Sequence, residues 1–164
     1  MAAASSLATR PEIFKFISPP DQESGFEAGI FKFRFWRYGE WIEVVIDDRL
    51  PTVGGKLVMN ESDSMSEFWP ALLEKAYAKL HGCYLALNGG QEMDAFIDFT
   101  GACVEFFSSY TDDPIPEKIF PILYKAGQLR GLMSCSFNTE ENGLITGHAY
   151  SITKVVLLRH EGKI

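Results

Sequence analysis

Three histidines and three cysteines are the side chains best suited to acid–base or nucleophilic chemistry in this 164-residue chain. His148 stands in Gly147-His148-Ala149-Tyr150-Ser151-Ile152, with a small residue before it and a strand-like run after it. An imidazole in that setting can act as general base if a nucleophile is brought alongside. The alternative is a structural histidine, because Cys–His sites are assembled in space and not by neighbourhood in sequence. His81 closes a helical pattern, where a cap or surface role is expected. His160 sits among Arg159, Glu161 and Gly162 in a turn-like stretch and reads as structural.

The cysteines do not complete a dyad by pattern. Cys83 follows a helix, while Cys103 and Cys135 fall in apolar, strand-like segments. Apolar burial raises a thiol's pKa and leaves it inert, so all three are expected in the core. Gly89-Gly90 lacks the spacing and the lysine of a phosphate loop and reads as a turn. Asp47-Asp48 and Asp112-Asp113 lack the spaced oxygens of an EF-hand loop and read as solvated turns.

Composition bounds what these groups can serve. Hydrophobic residues make up 46% and charged residues 23%, the balance of a folded globular chain. The net charge of −7 comes without a basic cluster, which disfavours nucleic-acid or acidic-membrane binding. No apolar run reaches the roughly 18 residues of a membrane span, and the first residues lack the basic and apolar regions of a secretory signal. Three unevenly spaced cysteines without a CxxC favour reduced thiols in a cytoplasmic protein over a disulfide frame or zinc site.

The elements that must position these groups follow from periodicity. Ala2–Thr9 reads as a helix without a start signal, and Pro11–Ile17 as a short helix with proline in its first turn. The stretch SPPDQESG reads as a loop. In GIFKFRFW, Phe31, Phe33 and Phe35 alternate with Ile30, Lys32, Arg34 and Trp36, which predicts a half-buried strand. Tyr38-Gly39-Glu40 turns it into WIEVVIDDRL as a hairpin, and PTVGGK is another turn. From Ser66-Glu67-Phe68-Trp69 a helix runs with Phe68, Leu72, Leu73, Ala76, Tyr77 and Leu80 on one face, stopping at Gly82. QEMDAFIDF is a short helix ending near Thr100-Gly101. Beyond it CVEFFSSY predicts a strand, PEKIFPILYKAGQLRG a helix broken near Pro121 or reaching Gly127, and LMSCSFN a strand. GLITGHAYSITKVVLLRHEGKI predicts one or two β-rich segments. The fold class is α+β, with a boundary near Gly101 between a mainly helical first part and a more β-rich second part.

The runs GIFKFRFWRYGEWIEVVIDDRLP, SEFWPALLEKAYAKLHGCY, DAFIDFTG and GLITGHAYSITK, in that order, closely resemble the catalytic core of the calpain family of calcium-dependent cysteine proteases. The resemblance covers almost the whole chain. It implies a papain-like protease core, incomplete here, with residues 1–101 the later part of the first subdomain and 102–164 the beginning of the second. A substrate cleft would lie between them.

Carried over residue by residue, the resemblance implies that His148, in Gly-His-Ala-Tyr-Ser, deprotonates the nucleophilic thiol. Gly147 and the Gly89-Gly90 pair would line the cleft and hold an extended substrate, where the missing side chain permits close approach. Glu67, in Ser-Glu-Phe-Trp, would help bind calcium, which requires hard oxygen ligands. The family's Gln-Gly-x-x-Gly-Asp-Cys-Trp motif would precede Met1, and its Asn-Pro-Trp motif would follow Leu157-Leu158-Arg159 beyond Ile164. These 164 residues therefore hold one of three catalytic residues. The implied activity is limited proteolysis of flexible, extended protein segments, with a regulatory subunit or inhibitor as a further partner. This chain, as a fragment, is expected to be inactive alone. The alternative is a non-catalytic calpain-like module that binds or regulates a partner protein.

Overall fold

The computed structural model describes residues 2–59, 67–108, 116–137, 140 and 142–158. The expected turns at Asp112-Asp113 and His160 and the helix-opening Ser66 lie outside them. The architecture is α+β. Helices α1 (Ala2–Leu7), α2 (Pro11–Ile17) and α3 (Glu23–Phe26) lead into an antiparallel hairpin of β1 (Ile30–Arg37) and β2 (Glu40–Asp47). A small hairpin, β3 (Thr52–Val53) with β4 (Lys56–Leu57), precedes α4 (Trp69–His81) and α5 (Glu92–Thr100). The second part holds α6 (Ile119–Gln128) and a short antiparallel pair, β5 (Ser134–Ser136) with β6 (Ala149–Ser151).

The β1–β2 hairpin shows why its sequence folds as it does. Tyr38 and Gly39 both have positive φ, 53° and 88°, in a two-residue turn that puts Arg37 opposite Glu40. Such turns match the natural twist of paired strands. Alternation then sends Phe33 and Phe35 inward, fully buried, against Leu73 and Tyr77 of α4 and Phe99 of α5. Two strands alone are marginal in water, so this packing supplies what the sheet lacks.

Both hairpin edges are covered by side chains. On the β1 side, buried Gln22 accepts the Lys32 N–H at 2.7 Å and donates to the Lys32 carbonyl at 3.3 Å, as a neighbouring strand would. On the β2 side, Lys79 donates to the Val45 carbonyl at 2.7 Å and Lys75 to that of Asp47 at 3.1 Å. Satisfying these groups blunts an edge that could otherwise pair with another chain.

α4 ends where the sequence places a stop, at Gly82 with φ 103°, and α5 ends at Gly101 in the left-handed conformation. α1 contacts α2, α4 and α5 on one side and β5 and β6 on the other, and so joins the two parts of the chain. Arg10 adds a polar tie. Its guanidinium donates to the Arg130 carbonyl at 2.7 Å and the Gly131 carbonyl at 3.1 Å, while Arg130 pairs with Glu12 at 2.9 Å.

Three expectations are corrected. The SPPDQESG stretch holds a 3₁₀ turn (Pro20–Gln22) and the start of α3, because Pro20 opens the turn instead of breaking structure. Residues 101–108 are irregular where a strand was expected, with Phe106 and Phe107 exposed. Their apolar pattern finds no strand partner among the described residues, and β propensity without a neighbour does not make a sheet. Among the described residues the β-rich reading of the last stretch reduces to β6 and a single bridge at Leu144, with residues 152–158 irregular. Pro121 does not break α6. It falls in the first turn, where its missing N–H costs nothing.

Candidate active site

His148 is exposed and sits just before β6, at the end of a turn held by three backbone-directed hydrogen bonds. The Gly147 N–H donates to the Phe137 carbonyl at 2.9 Å, closing the connection from β5 to β6. The His148 N–H reaches the Ile145 carbonyl at 3.3 Å, and the Ile145 N–H donates to the Tyr150 phenol oxygen at 2.8 Å. Gly147 has φ +68°, a conformation that side chains disfavour, so glycine lets the chain turn immediately before the imidazole. The imidazole meets the Tyr150 ring edge-on, with centroids 5.0 Å apart.

Gly147 and His148 thus share one turn, while the other sequence-derived residues belong to different elements. Gly89-Gly90 lies between a 3₁₀ turn (Tyr84–Leu87) and α5. It is exposed, and Gly89 has φ +75° with open space where a Cβ would stand. Glu67 is exposed, two residues before Trp69 opens α4. Among the described residues no three His, Cys, Asp or Glu side chains gather to hold a metal ion. Calcium takes six to eight oxygens, so Glu67 suits one ligand of a set but does not enclose an ion.

The cysteines depart from expectation. Cys83 and Cys103 are exposed and only Cys135 is half-buried; all three are free thiols. Burial, then the charge of Glu92, pushes the Cys135 thiol up from its usual range. It pairs with Tyr150 across β5 and β6.

His81 is also corrected. It is turned inward to a polar cluster that spacing did not reveal. Asp98, buried on α5, accepts the Tyr77 hydroxyl at 2.8 Å and Arg37 Nη1 at 3.3 Å, and His81 Nε2 lies 3.5 Å from the same carboxylate. Burial, reinforced by the hydrogen bond to Asp98, pushes the Tyr77 phenol far above its ordinary value. The four residues come from β1, α4 and α5. Their only sequence signal was Asp98, an acidic residue on the apolar face of a helix otherwise marked by Phe96 and Phe99.

Comparison with known proteins settles the family. The model of the calpain family cysteine proteases matches residues 1–164, the entire chain. This chain belongs to the calpain family. It is 48% identical to Calpain-B of Drosophila melanogaster over 96% of its length, covering 18% of that protein. It is 46% identical to Calpain-A of the same fly over its full length, covering 21% of that relative. The Calpain-2 catalytic subunit of Mus musculus is 43% identical across the full chain, which spans 24% of it. This calpain-family chain therefore spans about a quarter or less of the relatives it matches. Among its described residues no helix is long and apolar enough to cross a membrane.

Proposed function

We propose that these residues belong to the papain-like catalytic core of a calcium-dependent cysteine endopeptidase, a calpain performing limited proteolysis of protein substrates. The observation that carries this reading is the packing of α1 against β6. By the family resemblance the nucleophilic cysteine immediately precedes the alanine-rich α1, and β6 begins one residue after His148. Contact between these two elements suits a thiol and an imidazole meeting at that junction.

In this mechanism His148 takes the proton of the thiol. The thiolate attacks the scissile carbonyl, His148 returns the proton to the leaving amine, and an acyl-enzyme forms. Water, activated by the same imidazole, then hydrolyses the thioester. The exposed backbones of Gly89, Gly90 and Gly147 hold the substrate in extended form beside it. Glu67 would contribute a carboxylate to a calcium site, and the ion would help to hold the two subdomains meeting near Gly101 in register. The three free thiols fit a cytoplasmic location, and a regulatory subunit or inhibitor is a natural further partner. The 164 residues alone lack a cysteine in the family's nucleophile motif and are inactive in this reading.

The test exchanges the matching segment of the mouse Calpain-2 catalytic subunit for these residues and measures hydrolysis of a fluorogenic peptide with calcium. The chimera turns over substrate, and His148→Ala abolishes it. The isolated 164 residues show none. Turnover by the isolated chain that disappears in His148→Ala would refute its inactivity, while a chimera indifferent to His148→Ala would refute the role of the imidazole. A chimera that folds, stays inactive and captures a protein partner would favour the non-catalytic module instead.

A further inference from the structure

Tyr150 uses both ends of its side chain on the His148 turn. Its hydroxyl oxygen accepts the Ile145 N–H at 2.8 Å, and its ring packs against the imidazole with an interplanar angle of 78°. Phe137 meets the same tyrosine edge to face, with ring centroids 6.1 Å apart. Ile145 is consequently held twice within the turn, through its N–H by Tyr150 and through its carbonyl by the His148 N–H. β6 itself is anchored by its pairing with β5, where Tyr150 stands opposite Cys135.

An exposed imidazole is free to rotate about two side-chain torsions. An edge-to-face aromatic neighbour narrows that freedom on one side. A hydrogen bond that the same neighbour accepts from the backbone three residues upstream of His148 narrows the movement of the turn that carries it. The geometry points to Tyr150 as a positioning residue for His148, one that holds the imidazole in its working orientation without touching substrate. This rests on the reading of His148 as general base. A tyrosine serving only the stability of the turn would move the melting temperature and leave turnover per folded molecule unchanged.

Two substitutions separate the functions of ring and hydroxyl. Tyr150→Phe keeps the ring and removes one oxygen; Tyr150→Leu removes both contacts. In the calpain-2 chimera, kcat is expected to fall about three- to tenfold in Tyr150→Phe and about thirty- to a hundredfold in Tyr150→Leu, the scale of a small misplacement of a catalytic group. KM should stay within about twofold, because Gly89 and Gly90, two of the three glycines proposed to hold substrate, lie outside this turn. In the 164-residue chain, hydrogen exchange at the Ile145 amide should accelerate in Tyr150→Phe. Unchanged kcat in folded Tyr150→Phe, or unchanged exchange at Ile145, overturns the proposal. If Tyr150→Leu loses its dispersed amide spectrum, Tyr150→Phe alone decides. An active His148→Ala would overturn the general-base reading together with this one. An inactive His148→Ala beside a fully active Tyr150→Phe overturns this one only.

Discussion

Leu73 and Leu129 are the same side chain on opposite sides of Gly101, one fully buried in α4 and the other 74% exposed just after α6. The contrast holds for their surroundings. The buried apolar cluster draws on α1, α2, β1, β2, α4 and α5, all before Gly101, whereas Met133 is the single buried apolar residue after it among those described. α6 buries none of its described residues, and Leu157 and Leu158 are exposed. One part of the chain therefore carries the packing that stabilises it, and the other carries the imidazole that would do chemistry. Loose packing around a reactive group is compatible with function as long as a few directed contacts fix that group, which is the role of the Phe137–Gly147 and Ile145–Tyr150 hydrogen bonds here.

The largest effect should come from Leu73→Ala. Emptying a fully buried leucine site beside Phe35 and Phe99 is expected to cost about 3–5 kcal/mol, read as a fall in the denaturant midpoint. Leu129→Ala should stay within about 0.5 kcal/mol, since the side chain already faces water. Equal costs for the two would break the comparison.

The elements of the packed part were legible in the sequence, whereas the loose packing of the second part was not. The phenylalanine alternation in β1, the helical spacing of Leu72, Leu73, Ala76 and Tyr77, and the glycine stops at Gly82 and Gly101 are local signals, and local signals located the elements. The second part resisted because its apolar residues need partners from distant segments. CVEFFSSY carries a strand's composition, yet no strand lies beside it among the described residues, and residues 101–108 are irregular. The same limit hid the Asp98 cluster, which joins β1, α4 and α5 through residues as far as 61 positions apart. Within the candidate site, motif likeness marked Gly147 and His148, but no periodicity foretold that Tyr150 would reach back to Ile145.

Asp98→Ala should be the next most costly change, about 2–3 kcal/mol, because it strands the Arg37 charge and the Tyr77 hydroxyl without their shared acceptor. A double-mutant cycle with Tyr77→Phe checks whether the two losses are coupled. A smaller, pH-dependent effect belongs to Tyr77 itself. Its folded-state pKa is raised, so the unfolded chain ionises first as pH rises through about 10, and it then binds fewer protons than the folded chain. Stability should be unaffected by this group below about pH 9 and decline above about pH 10, by at most about 1.4 kcal/mol per pH unit. Tyr77→Phe should flatten that part of the stability profile, measured by denaturant titration at successive pH values.

The most direct measurement of the division between packing and chemistry is native-state hydrogen exchange of the 164-residue chain, resolved by residue. Amides of β1, β2, α4 and α5 should exchange slowest, near the rate set by global unfolding, while those around His148 and along residues 152–158 should exchange about a hundredfold faster or more. Uniform protection across Gly101, or slower exchange around His148 than in α4, would contradict the account.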